Sequence, residues 1–435
     1  MDVAKAFQTF IGNLRINNRD DISGKYRNIT KILNRNYYTS ESETTHCLQV
    51  GSFGRGTAIN GISDLDMIFS LPWSVHDKFD SRNNNGQSEL LQEVKGIIKE
   101  TYSRTDIRGD GQVVVVQFSN FKFEVVPGFE KSDGSFRYPD SSSGGSWENT
   151  DPRPEKDAIN KLNDDTNKNL KNLCKMVRAW KNHVGLDMNG LLVDTFCYNF
   201  MNNDYSHRSS DYLNYDYIVR DFFDYLSKRN NDQQYWYAPG SNKKVYKKDA
   251  FKKKAKKAYE NCCEAIKNQD KAKAVDIWKR VFGRPFPTRD QLGESKATER
   301  FVFENTEEFI EDMYSVDIRY TLHIDCRLPA KKGGFVEYYL RKMIKQEKPL
   351  VPGRDLWFFI KKCRVPEPFE VKWKIKNEGD MAKQKNQIRG QIINDSGKRQ
   401  QYEYTSFRGP HYVECYVIKD EVCVARDRIP VNIKE

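Results

Sequence analysis

The residues best suited to chemistry lie between Gln49 and Leu71, in the stretch QVGSFGRGTAINGISDLDMIFSL. Gly51 and Ser52 follow a strand-like CLQV, and Gly54 and Gly56 keep the next turn bare of side chains. Bare backbone lets N–H groups and the Ser52 hydroxyl close on a phosphate, and a helix starting there would favour its negative charge. Further on comes Asp64-Leu65-Asp66, followed by the apolar Met67-Ile68-Phe69. On a strand, residues two apart share a face, so Asp64 and Asp66 project together while Leu65 packs behind them. Two such carboxylates repel each other unless a cation lies between them. Mg²⁺ fits, because it takes hard oxygen ligands and bridges phosphates, with Mn²⁺ as the alternative.

A third acid is expected on a neighbouring strand. Val113–Phe118 and Phe121–Val126 are β-rich runs joined by Ser119-Asn120, which reads as a hairpin. In its second strand Phe121, Phe123 and Val125 share one face, and Lys122, Glu124 and Val126 share the other. Glu124 is thus an acid set in an apolar strand. A phosphoryl transfer that uses two divalent ions needs such a third carboxylate.

The elements that must position these residues follow from periodicity. Phe7, Phe10, Ile11 and Leu14 recur at helical spacing, and Asp20 or Asp21 can cap a second helix carrying Ile29, Ile32 and Leu33. Residues 138–154 (YPDSSSGGSWENTDPRP) read as a loop from their composition. Leu170, Leu173, Val177, Trp180 and Val184 then mark one helical stripe, with further helices expected at 217–226, 251–266 and 272–282. Beyond Val316, alternating runs such as VDIRYTLHI, FEVKWKIKN and HYVECYVI suggest a small antiparallel sandwich. The order is mixed α/β, then helical, then all-β.

Composition narrows the class. Charged residues are 31% and hydrophobic ones 38%, but 13% aromatic content supplies core material, so a disordered chain is excluded. The net charge of +11 suits polyanionic ligands. No run of 18 apolar residues occurs, so no spanning helix and no membrane partner are expected. The start MDVAKAFQTF lacks the charged head and apolar stretch of a signal peptide, and the nine cysteines show no CxxC spacing. Reduced thiols and a cytoplasmic location are therefore expected, with neither a zinc site nor a disulfide framework.

The segments GSFGRGT, SDLDM, FKFEVVPGF, LCKMVRAWK and AVDIWKRVFGRPFP occur in that order, followed by KCRVPEPFEVKWKIKNEG, IRGQ and GPHYVECYVIKD. This ordered set resembles the cGAS/DncV-like nucleotidyltransferases, specifically their bacterial SMODS branch. The terminal segments resemble the AGS-C sensor domain that accompanies some members. The resemblance implies an α+β fold: a polymerase-β-like nucleotidyltransferase core over residues 1–165 and a helical second lobe over 166–290. A linker over 291–314 and a small β-sandwich-like domain over 315–435 would follow.

The same resemblance implies roles. Asp64, Asp66 and Glu124 would hold two Mg²⁺ ions, Gly51 and Ser52 would contact the triphosphate, and Lys175 and Arg178 would face its phosphates from the second lobe. The family usually has lysine where Arg178 stands, and often aspartate where Glu124 stands. ATP and/or GTP would be joined, with pyrophosphate leaving, into a cyclic di- or trinucleotide that activates a downstream effector in bacterial antiphage signalling. Tyr198, Tyr235 and Tyr237 are candidates to stack on a purine.

Three points stay open. Lys243–Lys257 (KKVYKKDAFKKKAKK) reads either as a contact for a nucleic-acid activator or as a solvated helix face. A primer-dependent, linear or RNA-tailing transferase would use the same acids. A non-catalytic sensor would instead bind nucleotide through the last domain, where Trp357, Trp373, Arg389, Arg408 and His411 are candidates.

Overall fold

The computed structural model describes residues 1–61, 64–203, 205–269, 273–293, 307–329, 336–379, 381–382 and 387–434. Two compact units result, one of Met1–Tyr26 with Gln49–Glu299 and one of Arg27–Leu48 with Arg300–Glu435. Residues 294–306, most of the expected linker, lie outside the described residues.

The first unit opens with α1 (Val3–Asn13), the start of α2 (Arg19–Tyr38) and the end of β1 (Cys47–Gln49). There follow α3 (Gly51–Gly54), β2 (Asp64–Ser70), α4 (Trp73–Asp80), α5 (Gly86–Thr101), β3 (Asp106–Asp110), β4 (Val113–Gln117) and β5 (Lys122–Glu130). The sheet order is β1-β2-β5-β4-β3. β2 and β5 are parallel neighbours, whereas β4 and β5 form the expected antiparallel hairpin. The sheet's apolar face buries Leu65, Met67, Phe123 and Val125, and α5 buries Leu90, Leu91, Val94 and Ile98 at helical spacing.

Residues 138–154 depart from the loop reading, because β6 (Phe136–Asp140) and β7 (Ser146–Thr150) form a hairpin there. Only Ser141–Gly145 is the connection. The strands hold because Trp147 packs on Phe129 and His76 and its indole N–H donates to Asp80, so one aromatic outweighs a turn-like composition.

Helices complete this unit: α6 (Arg153–Asp165), α7 (Asn169–His183), α8 (Gly190–Asn203), α9 (Tyr215–Ser227), α10 (Lys252–Lys267) and α11 (Lys273–Phe282). A short hairpin of β8 (Tyr235–Tyr237) and β9 (Lys244–Tyr246) lies between α9 and α10. Leu170, Leu173, Val177 and Trp180 are buried, as their spacing requires. Phe7 and Phe10 of α1 join Trp278, Phe282 and Phe286 in an aromatic cluster, which fastens the N-terminal helix to the last helix of the unit.

In the second unit, α12 (Ile310–Met313) and β10 (Ser315–Val316) precede β11 (Leu322–Pro329), β12 (Val336–Tyr339), α13 (Leu340–Lys345) and β13 (Asp355–Cys363). Then come β14 (Glu370–Lys376), β15 (Arg389–Asn394), β16 (Gln400–Tyr404), β17 (Gly409–Lys419) and β18 (Val422–Ile433). Sheets of order β10-β18-β17-β14-β15 and β12-β11-β13-β16 enclose one core that includes Ile324, Phe358, Trp373, Val413 and Ile429. The strands pair antiparallel apart from β10, which runs parallel to β18, and a lone parallel bridge joins Leu350 to Ile433, a departure from the wholly antiparallel expectation.

Strand β14 alternates as its sequence suggests, but its second face is not open to water. Lys372, Lys374 and Lys376 are buried, and Glu307 places a carboxylate oxygen 2.7 Å from each of the Lys374 and Lys376 ammonium groups. Trp373 and His411 are also buried, whereas Trp357 is exposed beside Tyr402, and Arg389 is paired with Glu403.

Candidate active site

The glycines after β1 are fixed by what stands next to them. Gly51 has φ +63°, and a Cβ there would overlap Asp66 Oδ2; a Cβ on Gly54 would overlap the Gln49 carbonyl. The Val50 N–H donates to the Asp66 carbonyl at 3.1 Å, so the turn is stitched to β2. Beyond α3 the chain folds back, with the N–H groups of Thr57 and Ala58 both donating to the Ser52 carbonyl at 2.9 and 3.1 Å. Gly51 and Ser52 therefore lie directly against the acid-bearing strand.

The parallel register of β2 and β5 sets Asp64 opposite Lys122 and Asp66 opposite Glu124. Leu65 and Phe123 are buried, so the charged residues share the other face. The Lys122 ammonium lies 2.7 Å from Glu124 Oε1 and 3.5 Å from Asp64 Oδ1. Its pKa is pushed up, chiefly by the hydrogen bond to Glu124. Asp66 is pushed up to about 6 by burial first, then by the negative charges of Glu124 and Asp64, with Arg55 and Lys122 opposing.

Among the described residues, no three carboxylate, thiol or imidazole groups are gathered closely enough to hold a metal ion. The chemistry of Asp64, Asp66 and Glu124, more than their spacing, is what suits one. Asp66 is a buried carboxylate under repulsion from two others, opposed by Arg55 and Lys122, and the Lys122 ammonium stands between Asp64 and Glu124. Three carboxylates and no soft ligand suit Mg²⁺ or Mn²⁺.

Lys175 and Arg178 both lie on α7, but the structure uses Arg178 differently from the expected phosphate contact. Its guanidinium is buried and grips Asp194 of α8 through Nη1–Oδ1 at 2.6 Å and Nη2–Oδ2 at 2.9 Å. Asp194 Oδ2 also accepts Arg55 Nε at 2.9 Å and Thr57 Oγ1 at 3.1 Å. Burial opposes the Asp194 charge, yet Arg178 and then Arg55 overcome it and hold the carboxyl below its ordinary range. Arg178 thus supports the turn after α3 through Asp194. Lysine at this position would offer no planar fork for that bidentate grip. Glu155 of α6 extends the network, 3.6 Å from Arg55 Nη1 and accepting from Ser241 Oγ at 2.9 Å.

Asp194 was missed in reading the sequence, although GLLVDTFCYNF carries the same signal as Glu124: one acid inside an apolar run. Of the proposed base-stacking residues, Tyr198 packs partly buried on the helical core, while Tyr237 is 54% exposed and Tyr235 lies 5.5 Å from it, ring to ring. All nine cysteines are free thiols. No described helix is long and apolar enough to cross a membrane.

A glycine turn against paired acids on a strand, backed by a helical half, defines a nucleotidyltransferase core. Comparisons agree with that class. Residues 1–163 match the Second Messenger Oligonucleotide or Dinucleotide Synthetase domain, and residues 304–434 match the Adenylyl/Guanylyl and SMODS C-terminal sensor domain. A probable cyclic nucleotide synthase of Bacillus cereus (strain VD146) is 21% identical over 311 residues, covering 63% of this chain and 91% of that protein.

Two structures of CdnC from Escherichia coli MS115-1 share the fold. The one with ATP has a TM-score of 0.51 and the complex with HORMA-deltaN one of 0.50, each at 15% identity over 66% of this chain. They cover 99% and 98% of the respective CdnC chains. The two matches place a nucleotidyltransferase domain of the SMODS type at residues 1–163 and an AGS-C sensor domain at residues 304–434, in the order that the sequence motifs imply.

Proposed function

We propose that this enzyme joins nucleoside triphosphates into a cyclic di- or trinucleotide second messenger, releasing pyrophosphate, in a Mg²⁺-dependent reaction. The observation that carries the proposal is the placement of Asp66 against Gly51 and opposite Glu124, which sets a glycine turn beside a carboxylate face. In this reading residues 1–165 supply the acids and the turn, 166–290 the second lobe, and 315–435 a sensor for nucleotide or product. ATP is the first substrate to test, since CdnC was solved with it, and GTP the second. An effector activated by the product, an antiphage role and a cytoplasmic setting complete the proposal.

Asp64, Asp66 and Glu124 would hold the divalent ions, with Mn²⁺ as an alternative to Mg²⁺. When bound, the ions supply charge neutralisation at the triphosphate and acidify the attacking ribose hydroxyl. The chain's own residues do the rest. Gly51 and Ser52 present backbone and hydroxyl to the phosphates, and Lys175 adds positive charge from α7. Glu124 takes up the proton of the hydroxyl, and Asp194 fixes Arg55 and Thr57 so that the turn keeps its shape.

Incubating the full chain with labelled ATP, GTP, CTP and UTP and either ion, without primer, tests the reading. A nuclease-mapped cyclic product, lost in Asp64→Ala and Asp66→Ala, is expected. Product only on an added RNA end would favour a tailing enzyme. Nucleotide binding without turnover would favour a sensor.

A further inference from the structure

We propose that the Lys122 ammonium is a resident counter-ion for Asp64 and Glu124 that a divalent ion must displace, so that this one side chain sets the metal concentration at which the acids load. The inference rests on the reading of Asp64, Asp66 and Glu124 as metal ligands. The backbone imposes the position: parallel register sets Lys122 opposite Asp64, and its place two residues before Glu124 puts both side chains on one face of β5. The ammonium reaches both acids, at 2.7 Å from Glu124 and 3.5 Å from Asp64. Those are two of the three carboxylates that would hold the divalent ions.

A monovalent charge among three acids leaves the cluster under-neutralised, so a divalent ion gains from entering. It can enter only where the lysine leaves. Lys122 is able to leave, because its side chain is 26% exposed and its stem has four rotatable carbons leading to water. Loading is therefore an exchange of one cation for another. Arginine at this position would keep the competing charge, and methionine would keep the bulk while removing it.

The test is Mn²⁺ titration of the full chain, without nucleotide, followed by electron paramagnetic resonance, with melting temperatures measured in parallel. Lys122→Met should bind Mn²⁺ about two- to fivefold more tightly than wild type, the scale of one partly exposed ion pair. It should also melt lower than wild type without metal and gain more on Mn²⁺ addition, while Lys122→Arg stays near wild type in both. Equal or weaker Mn²⁺ binding by Lys122→Met, with binding still abolished in Asp66→Asn, would overturn the counter-ion role alone. If wild type takes up no Mn²⁺ that Asp66→Asn removes, the ligand reading itself fails, and the counter-ion role with it.

Discussion

Replacing Asp194 with alanine should destabilise the first unit severely, and the structure sets the scale. Asp194 is fully buried and compensates two buried guanidinium groups, Arg178 through two hydrogen bonds and Arg55 through one, besides accepting from Thr57. Removing one partner of a buried pair leaves an uncompensated charge and costs about 3–5 kcal/mol. Whole folds are stable by only about 5–15 kcal/mol. At about 2–4 °C per kcal/mol for a unit of this size, the expected fall in Tm is roughly 6–20 °C by calorimetry.

Removing both charges of the main pair, in Asp194→Leu with Arg178→Met, should recover part of the loss, because Arg55 keeps Glu155 nearby. The pH dependence has a definite sign. Asp194 is held below its ordinary 3.8, so its contribution is complete above that value and lost as pH falls through the lower, folded value. Asp194→Asn should lack that acid-labile phase. An Asp194→Ala protein that melts within about 2 °C of wild type, under 1 kcal/mol on the same scale, would refute the reasoning.

Other outcomes follow from single residues. Gly51→Ala puts a methyl group where Asp66 Oδ2 stands, at a backbone conformation alanine resists. A displacement of about 1 Å at a reacting centre can cost about 100-fold, so turnover should fall at least that far, while a strain of about 1–2 kcal/mol lowers the Tm by only about 2–8 °C. Asp66 titrates near 6 in the metal-free protein against an ordinary 3.8, so its neutral form is favoured by folding. Stability should therefore fall as pH rises from 3.8 through about 6, and Mn²⁺ uptake should weaken as pH drops through 6, both readable by melting and titration. Glu307→Ala leaves Lys376 without its carboxylate and Lys374 with only Glu414, 3.8 Å away, among the described residues, and hydrogen exchange in β14 and β17 should speed up by the equivalent of about 3 kcal/mol.

What was legible in the sequence was whatever a local period could carry. The acids of β2 were readable because Leu65 and Met67 alternate with them, and α7 because Leu170, Leu173, Val177 and Trp180 repeat at helical spacing. The Ser-Gly composition between β6 and β7 hid two strands that a single tryptophan holds. Lys372, Lys374 and Lys376 carry the alternation of a solvent face, but all three are buried, and the last two pair with Glu307, distant in the chain. Arg178 misled for a related reason: its partner Asp194 lies on another helix, and no spacing rule links them. Which cation stands between Asp64 and Glu124 likewise depends on strand register, a long-range property.

The most direct measurement of the central claim is pyrophosphate release by the purified full chain given ATP and GTP with Mg²⁺ or Mn²⁺ and no primer, with the product resolved by mass spectrometry. A cyclic oligonucleotide that forms with wild type and vanishes with Asp66→Asn is the predicted result. Product of equal yield from Asp66→Asn would contradict it, because the carboxylate against Gly51 would then have no part in the reaction.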